Sequence, residues 1–125
     1  MKNIIFVFLC LFFVIQSKGA DAMLSDTSKS YSIKLAHTDI SKGKIKLLIM
    51  GGFAPKHYEG EAVFEKKYKI KYYQFGCVLP ESISIADYNK VVANYLDGKY
   101  GKGWRKEVRK DVVLEDVRWS RVVGN

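Results

Sequence analysis

Tyr31, Ile33 and Leu35 alternate with Ser32, Lys34 and Ala36, a period of two that predicts a half-buried strand. Turn residues fill 37–43, and a second strand is expected over residues 44–50. It ends in Leu47, Leu48, Ile49 and Met50, an apolar run that suits burial on both faces. A hairpin is the simplest link between these two strands. Gly51-Gly52 breaks the pattern and Pro55 fits the first turn of a helix, since its missing N–H would be unpaired there. Glu61 and Glu65 early with Lys66 and Lys67 late match the helix dipole and predict a helix over residues 58–68. Gly60 counts against its first turn, because a glycine inside a helix costs about 1 kcal/mol relative to alanine. Dense aromatics then predict a strand over residues 70–78, closed by Pro80. Strand, helix and strand in this order imply a parallel β-α-β crossover.

Further along, Ser84 and Asp87 form a capping-box pattern, and Ile85, Tyr88, Val92, Tyr95 and Leu96 recur at helical spacing. These predict a helix over residues 85–97 with Gly98 as its stop. Trp104, Val108 and Val112 share one face of a third, short amphipathic helix over 104–112. The tail over 114–125 suits either an edge strand, with Val117 and Trp119 alternating, or a continued helix. The expected class is α+β: a small three- to four-stranded sheet with one β-α-β crossover and about three helices packed mainly on one face.

The start of the chain changes the picture of where this domain works. Ile4 to Ile15 are uninterrupted apolar residues behind a single Lys2, and the polar Gln16-Ser17-Lys18-Gly19 follows. Such a run is well short of the ~20 residues that span a bilayer, so residues 1–22 are expected to be a signal peptide. Cleavage is expected after Ala22, within Ala20-Asp21-Ala22, with an earlier position at Ser17-Lys18-Gly19 as the alternative. Lipid attachment at Cys10 is disfavoured, because Cys10 sits inside the apolar run behind bulky Phe8 and Leu9. The expected mature chain is exported, periplasmic or secreted, with a flexible lead over 23–30 and a single domain over 31–125. It carries no second apolar run long enough for a transmembrane helix.

Charge narrows the partners. Of 21 basic and 13 acidic residues, the leader removes two and one, leaving a net charge of about +7. An acidic protein or another polyanion of the cell envelope is the expected partner, and nucleic acid is disfavoured because an exported protein meets little of it. The basic cluster Lys99, Lys102, Arg105, Lys106, Arg109 and Lys110, interleaved with Tyr100 and Trp104, is the candidate binding surface. The plainer reading makes Trp104 core and the bases a solvated face.

Phe64-Glu65-Lys66-Lys67-Tyr68 resembles the signature of the FEKKY domain-containing proteins, small exported bacterial proteins found chiefly in Bacteroidetes. The ending Phe75-Gly76-Cys77-Val78, the Tyr88-Asn89-Lys90 helix start, Tyr95-Leu96-Asp97, Lys99-Tyr100-Gly101-Lys102 and the run from Trp104 to Val112 extend the likeness over roughly residues 48–113. The resemblance implies an exported single domain. It transfers no activity, cofactor or catalytic residue.

Candidate chemistry is sparse. Cys77 is the lone cysteine after the leader, and His57 is expected at the same sheet edge, so a thiol-dependent enzyme using Cys77 with His57 is the alternative function. A cysteine between Gly76 and Val78 is more often a small buried hydrophobe. His37, His57 and Cys77 lack the paired spacing of a metal site, even with Glu59 or Glu61 added, and no metal or cofactor is expected. Gly51-Gly52 leading into a helix could offer backbone N–H groups to an anion, but no phosphate-loop lysine follows. A non-catalytic binding module with a basic surface is the expected function.

Overall fold

The computed structural model describes residues 20–114, with side chains from residue 26 onward. Most of the expected signal peptide (1–22), the Cys10 alternative and the tail from residue 115 therefore lie outside the described residues. The elements run α1 (Ala20–Ser41), β1 (Lys46–Ile49), α2 (Glu61–Tyr68), β2 (Lys71–Gln74), α3 (Ile85–Tyr100) and a 3-10 helix (Lys102–Lys106). Among the described residues, no helix is long and apolar enough to cross a membrane.

The first expected strand is instead part of α1, and so is the lead over 23–30. Its inward positions are Ser32, Ala36 and Asp39, spaced by four and three residues, whereas Tyr31 is exposed. Two of those three are polar, so an apolar count favoured the wrong period. Both are bonded. Ser32 Oγ donates to the Ser28 carbonyl at 2.7 Å and accepts from Ser84 N at 2.8 Å. Asp39 Oδ2 accepts from the Tyr88 hydroxyl at 2.7 Å, and burial together with this bond pushes the Tyr88 phenol well above its usual range.

Without a hairpin, the sheet has two strands among the described residues and not three or four. The expected crossover is present: β1 and β2 pair in parallel, with Lys46 opposite Lys71 and Ile49 opposite Gln74. The ladder runs one bond further, from Phe75 N to the Ile49 carbonyl at 2.9 Å. Leu47 and Leu48 point to opposite faces and both are buried, so cover is not confined to one face of the sheet. Phe64 of α2 stacks on Tyr72 at 5.4 Å, while α3 packs on β1, on α1 and on the 3-10 helix.

Gly51 ends β1 for a steric reason. A Cβ there would lie 1.5 Å from the Phe75 carbonyl oxygen, so only glycine permits this approach of two backbones. No helix follows directly, and Pro55 lies in a loop that lasts until Gly60. Gly60 takes the left-handed conformation at φ 85° as the N-cap of α2, which starts at Glu61 and not at residue 58.

Half of the expected capping box of α3 forms: Ser84 Oγ accepts from Asp87 N at 3.4 Å, while Asp87 Oδ2 takes the Ser84 hydroxyl at 2.6 Å and the Ser84 N–H goes to Ser32 Oγ instead. Gly98 does not stop this helix. It continues to Tyr100, and Gly101 at φ 71° ends it with its N–H on the Asp97 carbonyl. The expected third helix over 104–112 is reduced to the 3-10 turn followed by irregular chain. Asp97 explains the tightening, since it receives the Trp104 indole N–H at 2.9 Å and the Arg105 guanidinium at 3.0 and 2.9 Å. Trp104 is wholly buried as a result.

Candidate functional site

Two copies of the tripeptide Lys-Ile-Lys lead into the two strands, at residues 44–46 and 69–71. Ile45 and Ile70 are buried, whereas Lys44, Lys69 and Lys71 are exposed and Lys46 half-buried. Parallel pairing then sets the copies side by side, with Lys46 opposite Lys71 and Lys71 N bonded to the Ile45 carbonyl at 2.9 Å. Lys66 joins from the last turn of α2. The outcome is an open cleft of about 650 Å³ at the amino ends of the strands, lined by Lys44, Lys46, Lys66, Lys69, Lys71 and Glu65.

Five lysines thus line the cleft with one glutamate, and that carboxylate is already engaged. Glu65 Oε2 accepts from Lys71 Nζ at 2.8 Å and its Oε1 from Tyr72 N at 2.9 Å. Lys46 Nζ reaches Asp39 at 3.5 Å. Lys44, Lys66 and Lys69 have no ion-pair partner among the described residues. A concave surface lined by one sign of charge concentrates counter-ions and speeds their arrival.

Lys69 carries a second signal. It is the C-cap of α2 at φ 54°, ψ 45°, and among the described residues it alone is a non-glycine with positive φ. The left-handed conformation costs an L-residue roughly 1–2 kcal/mol, which is why glycine usually takes this position. The helix dipole accounts for Lys66 and Lys67 in the last turn. A cation at the cap gains about 0.3–1 kcal/mol from the same dipole, which falls short of that strain.

The basic cluster read from the sequence divides. Trp104 is core, and Arg105 is half-buried on Asp97, whose carboxyl it holds below the usual range, first through this hydrogen bond. Arg109 is buried: its guanidinium binds Asp111 at 2.7 and 3.0 Å, Glu61 at 3.0 Å and the Lys56 carbonyl at 3.2 Å. The Tyr58 and Tyr72 rings lie 4.4 and 5.4 Å from it. These three side chains are structural. Lys102, Lys106 and Lys110 stay exposed, as does Lys99, which donates to the Tyr95 hydroxyl at 3.1 Å.

Cys77 is an exposed free thiol and not a buried hydrophobe. His57 is also exposed, and its Nδ1 turns toward Glu61 Oε2 at 3.8 Å. No hydrogen bond joins the thiol to the imidazole, so the pair lacks the base contact that activates a nucleophile. His37 lies exposed on α1. Among the described residues, no three His, Cys, Asp or Glu side chains gather as metal ligands. Gly51-Gly52 does not open a helix and so presents no helix N-terminus to an anion.

The repeated tripeptide was the signal in the sequence for the cleft. Within each copy the lysines look like an ordinary solvated face, and only the strand register brings the two copies together. Comparisons with protein families, with curated proteins and with solved structures return no match in any of the three.

Proposed function

We propose that the chain is a small exported, non-catalytic binding module that engages an acidic protein or other polyanion of the cell envelope through its lysine-lined cleft. The observation that carries this reading is the convergence of Lys44, Lys66 and Lys69, all without ion-pair partners among the described residues, on one concavity. Its likeness to the exported FEKKY domain-containing proteins supports the setting, and the apolar run at residues 4–15 supports the route.

Polyglutamate is a suitable probe, because it presents repeated carboxylates without apolar surface. Replacing Lys44, Lys66 and Lys69 by glutamine is expected to weaken its binding about tenfold at low salt, as removal of steering and contact charges should. Replacing Lys102, Lys106 and Lys110 is expected to change it less than about twofold. Fluorescence anisotropy of labelled polymer measures both. Equal losses in the two triple variants would mean that overall charge, and not the cleft, does the binding. Cys77→Ser should leave binding unchanged, and a loss there would revive the thiol as a functional group.

A further inference from the structure

We infer that the carboxyl end of the two-stranded sheet docks on an anionic lipid membrane, with Phe53 and Val78 entering the interfacial layer. This surface is separate from the lysine-lined cleft, which lies at the amino ends of the same parallel strands. Residues 50–58 leave β1 at the carboxyl end, and residues 75–80 leave β2 there. Neither stretch contains an aspartate or glutamate, and Lys56 is their one lysine or arginine. Phe53 is fully exposed, Val78 is 82% exposed and Met50 is 53% exposed.

The loop after β1 is held at both ends. Gly51 lets its backbone come against the Phe75 carbonyl and the Gly76 Cα. Further on, Lys56 N donates to Gln74 Oε1 at 3.1 Å, and the Lys56 carbonyl accepts from Gln74 Nε2 at 2.8 Å. The buried Arg109 donates to the same carbonyl at 3.2 Å. Phe53 therefore lies between two fixed points beside residues 74–76, and Val78 follows that segment by two residues. Strand pairing thus presents both apolar side chains from one end of the molecule.

Apolar side chains standing clear of the core on fixed loops gain by entering the boundary between headgroups and acyl chains. With 21 basic residues against 13 acidic, the chain is drawn to an anionic surface, and no carboxylate in either loop opposes the approach. Tyr73, half-exposed with its ring 5.0 Å from that of Phe75, adds an amphipathic aromatic of the kind that favours the headgroup level. A second copy on this patch would bring Lys56 toward its twin and two basic chains together, so like charge opposes self-pairing.

Vesicle sedimentation tests this with the exported form expected to begin after Ala22, so that the apolar run at residues 4–15 contributes nothing. Binding to vesicles containing phosphatidylglycerol is expected to exceed binding to phosphatidylcholine alone by at least about tenfold at low salt. A Phe53→Ser, Val78→Ser double variant, altered at exposed positions, should bind at least about fivefold more weakly with its thermal midpoint unchanged. Val63→Ser, at an exposed valine on α2 outside these loops, should change binding less than about twofold. Undiminished binding in the double variant, an equal loss in Val63→Ser, or equal binding to both kinds of vesicle would overturn the inference. A larger loss on replacing Lys44, Lys66 and Lys69 by glutamine would assign the headgroups to the cleft and overturn it too. So would self-association in sedimentation velocity that the double variant abolishes while vesicles go unbound, since the patch would then serve a second copy.

Discussion

Replacing Asn89 by aspartate is expected to lower the free energy of unfolding by roughly 3–5 kcal/mol, the range for a buried charge left uncompensated. Asn89 is wholly buried on α3. Its Oδ1 accepts from Leu48 N at 2.8 Å, and its Nδ2 donates to the Leu48 carbonyl at 2.8 Å and to the Val113 carbonyl at 2.9 Å. One side chain therefore does for the outer edge of β1 what a third strand would do, pairing both backbone groups of Leu48 and tying in the chain after the 3-10 helix. Aspartate has nearly the same shape but no donors, so it would set a carboxylate against two buried carbonyl oxygens.

Urea denaturation followed by circular dichroism measures the loss. The aspartate variant carries its own control in pH, because a protonated carboxyl regains one donor. Burial raises that carboxyl's folded pKa above its unfolded value, so its deficit is largest at neutral pH and shrinks as pH falls through the folded value. Asn89→Leu removes the same bonds and has no titratable group, so its deficit should not follow pH in this way. A neutral-pH loss below about 1 kcal/mol for the aspartate would mean that water reaches Leu48 and Val113, and the edge-pairing account would fail.

Asn89 also shows why the sheet was legible only in part. The apolar run and the glycine break located β1, and aromatic density located β2. The crossover followed because a helix stood between them. What the pattern could not show is that the edge partner of β1 would be a side chain from a helix 41 residues away. The search for a hairpin partner fell on residues 31–35, where a short polar-apolar alternation fits a strand and a helix equally. The inward residues there, Ser32 and Asp39, are polar and bonded to the start and the first turns of α3. Their role depends on α3, which the local sequence does not contain. An asparagine on the apolar stripe of Ile85, Tyr88, Val92 and Leu96 was the available hint, since a buried amide requires partners.

Part of the basic cluster lies in the interior for a related reason. Residues 99–110 hold the densest run of bases, and density in sequence suggested a surface. Yet Arg109 reaches Glu61 and Lys56, which lie 48 and 53 positions away, and so belongs to the interior. The lysines of the cleft are scattered over residues 44–71 and become a group only when parallel pairing aligns them.

Arg109→Ala is accordingly expected to cost roughly 3–5 kcal/mol, the usual penalty for removing one partner from a buried ion pair. The guanidinium holds the loop before α2 through the Lys56 carbonyl and Glu61, and fixes the following chain through Asp111. It also lies against the Tyr58 and Tyr72 rings, so truncation removes packing together with charge. Arg109→Lys should recover only part of the loss, since one ammonium cannot reproduce a fork that serves three acceptors. The pH dependence separates the ion pair from the packing. Arg109, through its hydrogen bond first, holds the Asp111 carboxyl below the usual carboxylate range. A carboxyl depressed on folding contributes stability that is present above its unfolded pKa and is lost as pH falls through the folded value. The unaltered chain should therefore lose stability below about pH 4, and Arg109→Ala should lose less over the same interval because Asp111 no longer gains from ionising. Urea midpoints at pH 3 and pH 7 test this directly: parallel declines in the two proteins would show that Arg109 acts by packing alone.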